Sequence, residues 1–316
     1  MVKNDIGAII QPGRIRSVSL LPNLPKKHHV MLTVFLFMVI CRTLNYIMKP
    51  QDSLTVMSGS SGFGTDISKI PMFAKTHLYH LMGRQDLINP GIEAEIKLIK
   101  EKNPNIAVIT EILGSEHRER LRKALYELGY KYMEHGNGQE FAGLPGNECD
   151  QTVIITRDQI NKIELPKLKL PKKPHGHGGG MVYTHMPEQK CDIIGAHIAL
   201  PTRKESFNEQ MNLLIKTIRG RIENGIKKIL LIGDFNITPE QLGNEFEELT
   251  SEMGFELLSP NKPTWDVLFG IRHLVREKCW DHIWGTGFES ISKETHTWES
   301  DHKAVIAKIR PTELMA

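Results

Sequence analysis

The strongest chemical signal in the chain is Gly233-Asp234-Phe235-Asn236, which follows the apolar run 229–232. An Asp and an Asn two residues apart on extended backbone point to the same side. Such a pair can orient a water and hold a phosphate oxygen; the same residues also suit an ordinary strand-to-helix turn. Ser300-Asp301-His302 precedes a strand-like stretch over 303–309. Here Asp301 can bind a metal while His302 faces a reacting group, or the tripeptide is a plain polar turn. Asp281 opens Asp281-His282-Ile283-Trp284. An Asp at a strand start can accept from a histidine ring and fix its tautomer, or it can end a turn. Glu111 lies just past the apolar run 106–109, where it is either a Mg²⁺ ligand or a helix N-terminal acid. His197 sits inside the apolar run 193–200, as a satisfied core residue or as a working ring.

These residues share a setting. From Leu54 onward, short apolar runs alternate with amphipathic stretches. Strands are predicted over 54–57, 106–109, 153–155, 181–184, 193–200 and 229–232, and around Ile283 and Val305, with a Gly/Ser loop over 58–64. Helical spacing joins Ile92, Ile96 and Ile99, then Leu121, Leu125 and Leu128, then Phe207, Met211, Leu214 and Ile218. Thr238 and Pro239 suit the cap and first turn of a further helix carrying Leu242, Phe246 and Leu249. Strands interleaved with helices indicate a layered α/β fold. Glu111 and Asp234 fall just past apolar strands, where such folds place their sites.

The chain has 316 residues, enough to bury a sizeable core, and a net charge of only +3 permits a polyanionic substrate without demanding one. The four cysteines form no Cys-x-x-Cys pair, which argues against a zinc knuckle or a disulfide scaffold. Residues 1–50 read as an extension separate from a domain over 51–316. Lys26 and Lys27 precede an apolar run over 30–41, which Arg42 interrupts before a mixed stretch ending at Met48. That run is shorter than the ~20 residues a bilayer span takes. Three readings stay open: a signal anchor giving membrane association through residues 30–48, a helix packed on the domain, or an extension the domain does not use. The location is correspondingly cytoplasmic or membrane-anchored. No coiled-coil or self-association stripe is visible, which implies a monomer.

Together the motifs resemble the endonuclease/exonuclease/phosphatase superfamily over roughly residues 53–310. The segment 103–111, ending Val108-Ile109-Thr110-Glu111, is similar to that family's strand ending in Gln-Glu. Gly195-Ala196-His197 resembles its Thr-His-Leu strand, and the helix with Glu209 and Gln210 suits its Arg/Gln-rich helix. Gly233 to Asn236, Asp281 and Ser300 to His302 match the remaining motifs, in order and at domain-scale spacing. One position departs from the pattern: Ser60 stands where the family carries an Asn after its first strand. A hydroxyl can be a ligand but lacks the amide geometry.

The resemblance implies a four-layer sandwich, two packed mixed β-sheets flanked by helices. It also implies a metal-dependent phosphoester hydrolase using Mg²⁺, or Mn²⁺, on a phosphoester substrate, with nucleic acid the leading class. A lipid or small phosphoester, or a non-catalytic binding module, are the alternatives. In that scheme Glu111 holds the metal, Asp301 supports the metal or the His302 geometry, and Asp234 orients or deprotonates the attacking water. Asn236 holds the water or a phosphate oxygen. His302, aligned by Asp281, donates to phosphoryl oxygens or moves a proton, and His197 binds the phosphate from the other side. Ser60, Arg203 and Lys204 contact substrate. The Lys-rich segment 165–180, with His175 and His177, is a basic flap or a solvated loop, and Trp265 is a stacking or a rim aromatic.

Overall fold

The computed structural model describes residues 53–60, 89–112, 114–136, 139–140, 148–149, 151–166, 180–245, 247–264, 278–298, 300 and 302–312. Two mixed sheets dominate. The first joins β1 (Leu54–Ser60), β2 (Ile106–Ile112), β3 (Tyr132–His135), β6 (Gln151–Thr156), β13 (Phe288–His296) and β14 (Ala304–Pro311). The second joins β7 (Asn161–Lys162), β8 (Gly180–Met186), β9 (Cys191–His197), β10 (Ile229–Asp234), β11 (Glu256–Leu257) and β12 (Asp281–Thr286). Their strand orders are β13-β14-β1-β2-β6-β3 and β11-β12-β10-β9-β8-β7. A two-stranded ribbon, β4 (Gln139–Glu140) with β5 (Glu148–Cys149), stands apart from both.

The central strands are apolar at consecutive positions because both of their faces are covered. In β1, Val56 faces the second sheet and Met57 faces the helices; in β2, Val108 and Ile109 divide the same way. In β10, Leu230 and Ile232 pack between the sheets while Leu231 and Phe235, just beyond the strand, pack outward. Three apolar layers result. One lies between the sheets. One lies between the first sheet and the helices α1 (Asn89–Lys102) and α2 (Gly114–Glu127). One lies between the second sheet and the helices α3 (Lys204–Glu223) and α4 (Pro239–Glu245). The arrangement is the expected four-layer α/β sandwich.

The sheets approach closely where the chain removes side chains. A Cβ on Gly195 would lie 3.0 Å from Val182, 3.1 Å from Val108 and 3.2 Å from Ile154. Helix α3 is fixed to its sheet by Arg221, whose Nε donates to buried Asp192 at 2.7 Å. Helix α4 begins with the reciprocal cap its sequence suggests. The Thr238 N–H donates to Gln241 Oε1 at 3.0 Å, and the Gln241 N–H to Thr238 Oγ1 at 3.4 Å.

Two local expectations change. The Gly/Ser loop expected over 58–64 does not begin at Ser58, because β1 continues to Ser60, with Ser58 opposite Val305 on β14 and Ser60 opposite Thr110 on β2; residues 61–64 lie outside the described residues. Strand β13 carried no signal because it is an edge strand, largely exposed along residues 289–296, and so never had to be apolar. The N-terminal extension over 1–50, with its apolar stretch at 30–48, lies outside the described residues. So do residues 167–179 of the Lys-rich segment, Trp265 and Asp301. Among the described residues no helix is long and apolar enough to cross a membrane.

Candidate active site

Strand register assembles the site. β10 runs parallel to β9 and antiparallel to β12, so Asp234 at its end lies opposite both His197 and Asp281. In the first sheet β1 runs parallel to β2, bringing Ser60 opposite Thr110, with Glu111 next along the strand. His302 stands just before β14, which pairs antiparallel with β1. His197, Asp234 and Asp281 continue the positions of Ile193, Ile232 and Ile283 that face between the sheets. The site is therefore the polar end of the inter-sheet layer, and it is nearly dry: His197 is 6% exposed, Asp234 2%, Asp281 0% and His302 4%.

Asp234 divides its two oxygens. Oδ1 accepts the Asn236 N–H at 2.8 Å. Oδ2 faces two rings, His197 Nε2 at 3.7 Å and His302 Nε2 at 4.0 Å. Both distances exceed a direct hydrogen bond, so this oxygen lies between the two imidazoles without a direct bond to either. The His302 ring is held from behind, with Nδ1 2.7 Å from Asp281 Oδ2. A carboxylate there makes Nδ1 the donor and leaves Nε2 to face Asp234. Burial raises the Asp234 carboxyl above its usual 3.8; the His302 ring pulls it back, the Asp281 charge adds to the rise, and His197 and the Asn236 N–H lower it. The net direction is upward, toward a stronger base.

Asn236 is not on extended backbone. Its φ is +55°, in the left-handed region that Asn tolerates better than most residues. That turn sends its N–H back to Asp234, while its Nδ2 donates to the Ile198 carbonyl at 2.8 Å. The amide thus ties the Asp234 turn to the chain just after His197. Gln210 of α3, fully buried, secures the same chain from the other side by accepting the Ala199 N–H at 2.6 Å. Gly233 is required by space. Its φ is +145°, and a Cβ would fall 1.9 Å from the Ala196 carbonyl oxygen on β9.

Glu111 also departs from strand geometry. Its φ is +59°, and the β2–β6 register shifts between Ile109 and Ile112. The bulge turns this acidic residue out of the regular ladder, a strained conformation that recurs at functional sites. Ser60 Oγ donates to Glu111 Oε2 at 2.5 Å, so the hydroxyl at the departed Asn position orients this carboxylate. Ser300 joins the first sheet's contributions. Its hydroxyl donates to the Ser60 carbonyl at 2.7 Å and accepts the His302 N–H at 3.1 Å.

Among the described residues no three or more His, Cys, Asp and Glu are grouped to cage a metal. Among the described residues, the Glu111 carboxylate with the Ser60 hydroxyl beside it suits a hard divalent cation that keeps waters of its own. Arg203 precedes α3 and Lys204 opens it; both are exposed, six and seven positions beyond His197 in sequence. Sequence reading gave Gln210 and Ser300 only as members of motifs, without a supporting role, and assigned none to Thr264, which had only the neighbouring Trp265 to draw notice.

No protein-family profile and no curated protein matches the sequence. Solved structures do match the fold. An endonuclease/exonuclease/phosphatase from Beutenbergia cavernae aligns at 18% identity and a TM-score of 0.58, covering 82% of this chain and 72% of that one. ANGEL2, described as a 2',3'-cyclic phosphatase, aligns at 13% identity and 0.57, covering 82% and 95%. TDP2 from D. rerio, complexed with a single-strand DNA product, aligns at 12% identity and 0.55, covering 82% and 99%. At such identities the likeness speaks for architecture: this chain has the endonuclease/exonuclease/phosphatase fold.

Proposed function

We propose that the chain is a Mg²⁺-dependent phosphoester hydrolase whose substrate is a phosphodiester of nucleic acid. The observation that carries the reading is the Asp234 carboxylate oxygen flanked by His197 and His302, with His302 held by Asp281. A water between Asp234 and the phosphorus meets a base strengthened by burial. Asn236 keeps Asp234 aimed, since it fixes the other oxygen. His302 and His197 then face the phosphate from two sides and donate to its non-bridging oxygens as charge develops there. Asp281 stabilises the His302 imidazolium that such donation requires. Mg²⁺, held by Glu111 with Asp301 as second carboxylate, supplies charge neutralisation at the phosphate when bound. Arg203 and Lys204 supply exposed positive charge beside the α3 start for neighbouring phosphates.

Support for a nucleic-acid substrate comes from the D. rerio TDP2 match, whose structure contains a single-strand DNA product. A lipid phosphoester is the second reading, favoured by the apolar residues 30–41. The deciding experiment offers the full chain duplex DNA, abasic DNA, single-stranded DNA, RNA, sphingomyelin and inositol phosphates, each with Mg²⁺ and with EDTA. Turnover of one class with Mg²⁺, absent in EDTA and abolished by Asp234→Ala, is expected. No turnover across the panel by a folded wild-type chain refutes the enzyme.

A further inference from the structure

The two partners of the Asp281–His302 pair come from different sheets. Asp281 opens β12 in the second, and His302 leads into β14 in the first. A 2.7 Å contact across that boundary needs something to set the spacing. Thr264 spans the same boundary. It is fully buried. Its Oγ1 accepts the N–H groups of Trp280 at 3.0 Å and Asp281 at 3.1 Å. Its own N–H donates to the Lys278 carbonyl at 2.8 Å, with the hydroxyl 3.5 Å from the same oxygen. Its carbonyl accepts the N–H of Lys303, the residue after His302, at 2.5 Å.

A threonine hydroxyl has two acceptor lone pairs and one donor, which matches two incoming N–H groups and one outgoing proton. Valine has the same shape and none of this capacity. It would leave the half-buried Trp280 amide and the buried Asp281 amide without that acceptor. Serine keeps all of it.

We propose that Thr264 is a positioning residue that sets the Asp281–His302 hydrogen bond across the gap between the sheets. Its effect on turnover rests on the hydrolase reading above; the hydrogen bond itself does not. The test uses full-length wild type, Thr264→Val and Thr264→Ser, with ¹⁵N-histidine labelling. The downfield His302 Nδ1–H resonance is assigned by its loss in His302→Gln. In Thr264→Val that resonance is expected to vanish or move upfield, and kcat on the substrate found by the panel falls about 100-fold with KM little changed. Thr264→Ser restores both. If Thr264→Val does not fold, Thr264→Ala is read in its place.

An unmoved resonance in the folded Val or Ala variant overturns the proposal, whatever happens to kcat. So does a serine variant no better than valine. A resonance that moves as expected, in a wild-type chain that hydrolyses nothing, leaves Thr264 as the positioning residue and removes the hydrolase reading instead.

Discussion

Asp281 and His282 are adjacent, yet the histidine beside the working carboxylate is structural, and pH tests that division. His282 is fully buried. Its Nε2 faces the Cys279 carbonyl at 2.9 Å, and its Nδ1 accepts the Trp284 indole N–H at 3.3 Å. The ring stacks on Phe235, centroids 5.4 Å apart. This set fixes the neutral Nε2–H tautomer, because a proton on Nδ1 would point at another donor. Burial pushes the ring's pKa from 6.5 down to about 4, although the Cys279 carbonyl and the Asp281 and Glu240 charges pull the other way. Below 6.5 the unfolded chain takes up a proton that the folded chain refuses, so stability present above that pH is lost as pH falls toward 4. At about 1.4 kcal/mol per unit, the loss is about 2 kcal/mol by about pH 5 and about 3 kcal/mol in full.

His282→Gln is the comparison, since an amide can donate to Cys279 and accept from Trp284 without titrating. Urea unfolding of both chains at about pH 7.5 and about pH 5 isolates the histidine from every other titrating group. Wild type should lose about 2 kcal/mol more than the variant over that interval. Equal losses would mean that His282 takes a proton in the folded state, and the assignment of a purely structural role would be wrong.

Two further perturbations address the site directly. Asp281→Asn removes a charge-assisted hydrogen bond of about 1.5–3 kcal/mol from His302, so kcat should fall about 10- to 100-fold while the melting curve stays cooperative; a change below about threefold would detach Asp281 from the chemistry. Gly233→Ala forces a Cβ onto the Ala196 carbonyl and an alanine into a φ of +145°. It should cost about 3 kcal/mol or more of stability, read by urea unfolding. A neutral result would mean that β9 and β10 are not held at this spacing.

The parts of the site legible in the sequence are those that interrupt an apolar run. Asp234 stands just past an apolar run, which hydrophobic patterning marks directly, and His197 breaks the run 193–200; Asp281 was legible only through its motif. Glu111 was legible as a residue and not as a conformation: a bulge inserts no distinctive letter, so its positive φ left no trace. Asn236 was read on extended backbone, whereas the return of its N–H to Asp234 requires the left-handed turn. Thr264 was invisible for another reason. Its partners lie 14 to 39 positions away, at Lys278, Trp280, Asp281 and Lys303, and no local pattern encodes a contact made by tertiary packing. The edge strands β11 and β13 escaped because polar edges look like loops.

The two sheets repeat one plan, and the plan explains where the chemistry sits. From β13 to β3, and again from β11 to β7, neighbours pair antiparallel, antiparallel, parallel, antiparallel and antiparallel. Ser60 and Asp234 therefore occupy equivalent strand ends; Glu111 lies one residue beyond the counterpart of His197, and His302 just before the strand that corresponds to the one Asp281 opens. The first sheet fills these places with a hydroxyl, a carboxylate suited to a cation, and a ring. The second fills them with a buried carboxylate, a ring and the carboxylate that orients the first sheet's histidine. Neither sheet holds the candidate site alone; the Asp281–His302 bond joins the two. The chemistry thus depends on how the sheets pack, which the close approach at Gly195 and the brace at Thr264 control. The groups leave from strand ends, so residues beyond those ends can change what is bound without moving what reacts.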